Sequence, residues 1–458
     1  VFQSTKSVGS VGFMGFGFKT LYKRFASVSV SDCNGWKFGF DVPEKIVALH
    51  PQPASAGRSS PTMDIVLKTR GWIGAVCPTW DDSIAAPDGD SFSTKFELSQ
   101  VVSATFGHLL MEDVNEALFS GGMTALAVLG SQGLRKLKII DTSAPSQTRL
   151  FELVSLEEKS VMVTQIAPKR QEYHWKCLRS QYEPGIEETQ AIAKARLKNI
   201  LQHHKDMEKV ISEIRRPYRV LGLIPISPED GLAQANRGQL FATLPIRSFV
   251  PFGISIQADW LLDLSRKGLR DVETNPWQQL IVKNVAKLVA IFIASIRSAN
   301  STVEAISRSF AVLGSGIDSL GNLDTAPFSL ERFGNWIREE LSDTPVFPVL
   351  SPTDASSRSA SEVEWRPISQ VVLLPHTHYR PHKVSNLIGF AAIDESLVTP
   401  STCQFFVQIG LLKPLNIQDI ITKFSRDGGI GEWYNSLDKS EASRRESLVE
   451  LWAFLAEF

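Results

Sequence analysis

Gly12-Phe13-Met14-Gly15-Phe16-Gly17-Phe18-Lys19-Thr20 is the stretch on which the reading of this sequence turns. Its glycines are spaced three and two residues apart and stand directly before a short helical pattern over residues 19–25. Glycine lets a backbone bend tightly and approach an anion, while the first amides of a helix aim the positive end of its dipole at it. Residue types in this order point to a phosphate-binding turn. Two common phosphate motifs do not fit. In a P-loop the lysine directly follows the last glycine, but Phe18 stands between Gly17 and Lys19, and residues 3–11 are too polar and short for the buried strand such a loop follows. A dinucleotide fingerprint needs a third glycine where Thr20 stands.

Outward from the box, Ser and Val alternate over residues 27–31, Asn34-Gly35 follows, and a second alternating run covers 36–40. Alternation, a turn dipeptide and alternation again predict a β-hairpin or a pair of adjacent strands. Residues 51–61 are loop, and further strands are expected at 64–67, 74–77 and 94–98. A helix near 125–129 precedes the run 134–140, and 160–166 has the pattern of a strand. Helical spacing of Ile192, Leu197, Ile200, Leu201, Val210, Ile211 and Ile214 predicts a long helix over 187–216, ended by Pro217. Strands are expected at 219–225, 239–245 and near 253–258. Asn275-Pro276 opens a helix that runs to about 297, with Ile281, Val285, Leu288, Phe292 and Ile296 on one face. A polar linker at 351–362 separates a portion mixing a strand at 371–374 with helices at 403–409, 417–424 and the chain's end. Strands and helices in alternation predict an α/β or α+β architecture.

The 458 residues carry 48 basic and 49 acidic side chains, a formal net charge of −1. Such a balance gives no electrostatic footprint for nucleic acid or a membrane surface as partner. Cys33, Cys77, Cys177 and Cys403 are scattered without zinc spacing, so reduced thiols and an intracellular setting, cytoplasmic or nuclear, are expected. The longest apolar run, 288–294, falls far short of the roughly 20 residues of a membrane helix. His376, His378 and His382 stand close together, but Asp394 and Glu395 are the nearest carboxylates, and a satisfied loop is the simpler reading than a metal site. Gly130-Ser131-Gln132-Gly133 and Gly314-Ser315-Gly316 do not supply the G-x-S-x-G of a serine hydrolase. Trp433, Tyr434 and Trp452 fall at apolar helical positions expected in a core.

The nine residues from Gly12 to Thr20 match G-x-x-G-x-G-F-[KY]-[ST] throughout, and so resemble the second glycine box of the GHKL ATPases, the superfamily of histidine kinases, gyrase B, MutL and the heat-shock chaperone. Three further features resemble the chaperone. Ser4-Thr5-Lys6 lies where the family's lid segment carries its Ser/Thr-Lys pair. Thr94-Lys95-Phe96-Glu97-Leu98 is similar to the strand whose threonine faces adenine, with Ser93 in place of the family's glycine. Leu264-Ser265-Arg266 falls on a middle-domain loop whose arginine reaches the γ-phosphate, with Lys267 where the family has an acid. Within the superfamily the closer resemblance is to the sacsin and No vein group, whose later segments are similar to 134–138 and 238–245.

The resemblance implies a partial GHKL (Bergerat) α/β sandwich over 1–105, an α/β middle domain over 106–300 with the helix 187–216 inserted, a helical connection over 301–350, the linker 351–362 and a mixed α/β or helical interaction region over 363–458. It implies ATP with Mg2+ as cofactors. The phosphates would lie on Gly12, Gly15, Phe16, Gly17, Phe18 and Lys19, with Thr94 at the base and Arg266 as the catalytic cation. The family's general-base Glu, magnesium-binding Asn and adenine-reading Asp-x-Gly-x-Gly precede its glycine box, and none of them is among residues 1–11. With Val1 rather than Met at the start, an N-terminally truncated chain is expected. The function implied is a chaperone-like or regulatory ATPase with a protein client and a homodimeric state; the alternative is an inactive scaffold that keeps the fold and binds a protein.

Overall fold

The structure, a computed structural model, describes residues 25–32, 37–41, 79–80, 94–101, 114–115, 118–119, 122–140, 148–156, 159–199, 211, 214–215, 217–227, 231–232, 237–263, 268–299, 302–317, 326–349, 359–374, 391–425, 429–436 and 440–456. The chain divides into two compact units, Val1–Ser120 and Gly121–Phe458. It is a mixed helix and strand protein of the α+β kind, as the alternating patterns predict.

In the first unit, β1 (Phe25–Asp32) and β2 (Lys37–Asp41) pair antiparallel with Ser31 opposite Lys37. On its other side β1 pairs with β4 (Thr94–Val101), and β3 (Thr79–Trp80) closes the order β3-β2-β1-β4. The strands expected at 64–67 and 74–77 lie outside the described residues.

The second unit is built on a nine-stranded sheet. Five consecutive strands form an antiparallel meander: β5 (Lys136–Ile139), β6 (Arg149–Leu156), β7 (Ser160–Ala167), β8 (Gln171–Tyr182) and β9 (Tyr218–Ser227). The short β10 (Gly231–Leu232) hangs on β9. Next comes β13 (Ser255–Gln257), antiparallel to β9 and parallel to β11 (Gly238–Ala242), with β12 (Leu244–Val250) at the edge. The single strand expected over 239–245 is thus two strands. Thr243 takes a positive φ of 71° and reverses the chain there, its amide donating to the Gln257 side chain at 2.7 Å.

One face of the meander is buried under α1 (Thr124–Ser131), whose Ala125, Leu126, Ala127 and Val128 meet Phe151, Leu153, Val161 and Val163. The helix α2 (Ile186–Asn199) begins the segment expected to be helical over 187–216, and residues 200–210 lie outside the described ones. The other face of β8 and β9 carries α3 (Pro276–Ala299). Asn275 starts this helix by accepting the Trp277 amide at 2.9 Å, with Pro276 at the first turn, where its missing N–H costs nothing. By length and composition α3 would span a membrane, longer than the run 288–294 suggests because Lys283, Asn284 and Lys287 are carried within it. Yet 67% of its most apolar window is buried inside the unit, the environment of a core helix.

Two capped helices follow, α4 (Val303–Gly314) on Thr302 and α5 (Leu330–Leu341) on Ser329, then β14 (Phe347–Val349), which pairs with β15 (Glu364–Arg366). The region 363–458 packs into the same unit. Its α6 (Pro400–Gln408) lies on α4, where the buried Thr402 hydroxyl donates to Phe310 O at 2.8 Å, and the rings of Phe252, Phe310, Phe333, Phe347, Phe405 and Phe406 join the two parts. Beyond it, β16 (Val371–Val372), β17 (Ala391–Ala392), α7 (Ile417–Ser425), α8 (Gly429–Ser436) and α9 (Glu441–Ala456) hold a smaller core around Ile420, Trp433 and Leu451. Trp433 and Tyr434 belong to it, as their spacing suggests. Trp452 is 70% exposed, because α9 turns Leu448, Leu451 and Leu455 inward instead.

Cys177 on β8 and Cys403 on α6 are buried free thiols. Burial pushes Cys177 up to about 11 against a smaller opposing pull from Arg179, and pushes Cys403 up to about 12, aided by the Glu395 charge. In the unfolded chain these thiols ionise near 9, so between pH 9 and about 11 the unfolded state releases protons that the folded state keeps. Stability is therefore expected to fall with rising pH across that window. A Cys177→Ala/Cys403→Ala pair, measured by urea titration, should show a shallower fall than the parent; an unchanged slope would remove the thiols as its cause.

Candidate functional site

The glycine box, Thr94 and Arg266 were expected to meet a nucleotide, and of these the structure describes the strand of Thr94 and the residues on either side of 264–267. Gly12, Gly15, Phe16, Gly17, Phe18 and Lys19 lie outside the described residues. The chain that leaves them enters β1 at Phe25, the central strand between β2 and β4. Thr94 is the first residue of β4 and stands opposite Asp32, the last residue of β1. From Phe25 to Asp32 an extended strand covers about 23 Å at ~3.3 Å per residue. The sheet thus joins the strand after the glycine box directly to the strand that carries Thr94, with the threonine at the far end.

Arg266 lies within residues 264–267, outside the described ones, but both of its flanks are described. Leu262 and Leu269 form an antiparallel bridge, Asp263 N donates to Gly268 O at 3.0 Å, and Arg270 N donates to Leu261 O at 2.9 Å. These bonds join 261–263 and 268–270 as the two antiparallel arms of a hairpin, with 264–267 outside the described residues. The hairpin is tied to the first turn of α3 by Gln278, which is fully buried. Its Oε1 accepts from Leu261 N at 3.3 Å, and its Nε2 donates to Leu261 O at 2.7 Å and to Arg270 O at 3.0 Å. Trp277 adds a bond from Nε1 to Asp259 O at 2.8 Å. One amide side chain therefore reaches both arms of the hairpin.

Gln278 was not among the residues singled out from the sequence, although a signal was there. It sits at the inward spacing of Ile281 and Val285, and a polar group on such a face must find partners, since burying an amide without them costs several kcal/mol, about 2–7. What the sequence does not contain is the identity of those partners, which are backbone groups brought in by the fold.

Beside the hairpin, Val272, Glu273, Val282, Phe328, Arg332 and Trp336 line a recess of about 190 Å³ counting its open mouth. Ligand pockets for small molecules run from about 300 Å³ upward. Within the recess Glu273 already accepts the Ser329 amide at 2.7 Å and pairs with Arg332 at 3.7 Å, so its polar groups serve the start of α5. It is a joint between elements and too small for a nucleotide. Among the described residues no group of three or more His, Cys, Asp or Glu could hold a metal ion. His376, His378 and His382 lie outside them, and Asp394 is turned onto its own chain, its Oδ1 accepting the amide and hydroxyl of Ser396.

Compared with known protein families, with curated proteins and with solved structures, the chain matches none.

Proposed function

We propose that this chain is an ATP-binding protein of the GHKL type, with a chaperone-like or regulatory role towards a protein client, and that its glycine box grips the phosphates. The observation that carries the reading is the box itself: nine consecutive residues in the family's order, followed by a hairpin whose central strand pairs with the Thr94 strand. In this reading the amides around Gly12, Gly15 and Gly17 hold phosphate oxygens, Phe16 and Phe18 shape the turn, and Lys19 adds a positive charge. Arg266, on a hairpin fixed at both arms, suits a guanidinium that must meet a γ-phosphate with little loss of freedom. A magnesium ion would accompany the triphosphate, and the resemblance assigns its ligand to no residue of this chain. Hydrolysis would need a water-activating carboxylate, which the resemblance likewise assigns to no residue here. The reading is therefore of phosphate binding before turnover.

The test is titration of the purified chain with a fluorescent ATP analogue, competed by ATP, ADP and AMP. A Cβ at Gly15 or Gly17 blocks close approach of the backbone to the phosphates. Gly15→Ala and Gly17→Ala are each expected to weaken binding by at least about tenfold, equivalent to roughly one lost charge-assisted hydrogen bond, with unchanged circular dichroism. ADP should compete far better than AMP. Binding indifferent to both substitutions, or competition by AMP as good as by ADP, would sink the proposal.

A further inference from the structure

The nine-stranded sheet ends on β5, and among the described residues no strand pairs with its outer edge. The register with β6 shows which groups that edge presents. Leu153 N donates to Arg135 O at 2.9 Å, so residues 135 and 153 form a hydrogen-bonded pair, and in an antiparallel ladder such pairs alternate. Residues 137 and 139 therefore turn their backbone groups to β6. Lys136, Lys138 and Ile140 turn theirs outward. The side chains alternate as well. Lys136 and Lys138 are exposed on one face, where Lys136 pairs with Glu152 at 3.9 Å, a carboxylate half-exposed itself. Leu137 and Ile139 point to the other face, in line with the fully buried Phe151 opposite Leu137, yet they are only half-buried. The apolar layer under α1 thus runs out to the last strand and is left partly uncovered there. Ile140, at the end of the strand, is 55% exposed.

We propose that the outer edge of β5 is a docking site for an extended acidic peptide from a partner protein, which adds to the sheet as a further strand. Backbone pairing at Lys136 and Lys138 would hold it, as in other strand additions. The peptide's alternate residues would be acidic, facing the two lysines, and branched apolar, covering Leu137 and Ile139. Charge decides against a second copy of this chain: antiparallel pairing of two β5 edges would set lysine rows against each other, and like charges directly opposite are destabilising. Lysines on an edge strand also keep unwanted strands away. An acidic strand is the one kind they admit. This inference does not depend on nucleotide binding.

The probe is a fluorescent synthetic peptide of alternating glutamate and valine, about eight residues long, the length of a typical strand. Three measurements are expected to agree. Anisotropy should show binding that weakens with added salt, as exposed ion pairs do. Lys136→Glu/Lys138→Glu, at exposed positions, should weaken it by about tenfold while leaving the circular dichroism unchanged. Hydrogen exchange on binding should slow at the amides of 136, 138 and 140, while those of 137 and 139, already bonded to β6, change little. The same peptide with lysine for glutamate should not bind. Equal affinity for the charge-reversed variant, slowed exchange elsewhere than β5, or self-association of the chain through this edge would each overturn the proposal.

Discussion

Replacing Gly334 by alanine is expected to cost the second unit about 3–5 kcal/mol, a large part of the roughly 5–15 kcal/mol by which an ordinary domain is stable. The sign is the reverse of what helix propensity dictates. Gly334 lies inside α5, and in an open helix alanine is about 1 kcal/mol better than glycine. Here, however, a Cβ would overlap the carbonyl oxygen of Ile409, with the carbonyl carbon at 2.6 Å and the Ile409 Cβ at 3.0 Å. Those are mostly backbone atoms, so no side-chain rotation relieves the clash. Either α5 backs away from the end of α6, or the chain at 409–410 does. The first loosens Phe333 from Phe252, stacked 5.8 Å away, and from Phe328, tilted at 5.1 Å, and both strain the bond from the Arg338 guanidinium to Gly410 O. Gly431 is the internal control. It stands exposed in the helix α8 with nothing within 4 Å of its would-be Cβ, so Gly431→Ala should be neutral or stabilising by up to about 1 kcal/mol. Thermal and urea denaturation of the two variants should move in opposite directions. Equal small shifts would mean that α5 does not dock as described.

That close approach also ties 363–458 to the helices before it, within the one compact unit Gly121–Phe458. A polar stretch at 351–362 signals a boundary by composition, but Thr402 against Phe310 and Ile409 against Gly334 are long-range contacts with no local signature. The same division runs through the rest of the chain. The hairpin of β1 and β2 was legible because Ser-Val alternation and Asn34-Gly35 are local signals, and α3 because Asn275-Pro276 caps an unbroken apolar face. The strand β8 was not legible: it alternates Trp175 and Cys177 with His174 and Lys176, letters that look polar. Lys176 nevertheless lies along the apolar face, its ammonium 5.7 Å from the Phe292 ring centre, and its pKa is lowered by burial. A long cationic side chain can cover a core, and sequence alone counts it as surface. Thr243 was missed for a related reason. A β-branched residue at positive φ is costly by itself, and the Gln257 side chain that receives its amide arrives from another strand. Of the candidate site, the glycine box is a local pattern whose residues lie outside the described ones, and the ties that hold 261–263 and 268–270 were not legible, because they are made by backbone groups of one segment and a side chain of the next.

That support yields the second large effect. Gln278→Leu keeps the volume and the helix propensity of the position but removes the amide that holds the hairpin. Leu261 N and Arg270 O then lose the partners given by Gln278, whereas Leu261 O keeps the Arg270 amide. A buried group left unsatisfied costs about 1–3 kcal/mol, but Leu261 is half-buried and Arg270 exposed, so water meets part of the loss and the net cost is about 1–3 kcal/mol for the two together. Its distribution matters more than its sum. The bonds across the bridge at Leu262 and Leu269 survive, so the hairpin should persist but swing free of α3. Hydrogen exchange at 261–263 and 268–270 is expected to accelerate by more than tenfold, while amides in the middle of α3 change only with the global stability. Gln278→Glu distinguishes loss of the donor from loss of the acceptor. The carboxylate can still receive the Leu261 amide but cannot donate to Leu261 O or Arg270 O, so the Arg270 arm, which has no other bond to this side chain, should loosen more than the Leu261 arm. If exchange in the hairpin follows global unfolding in both variants, Gln278 is a core residue and no clamp. If it loosens as described, the same variants supply the sharpest separation of the hairpin's function from its folding. Should the chain turn over ATP, they are expected to lower the rate and leave nucleotide affinity, which rests on the glycine box, unchanged.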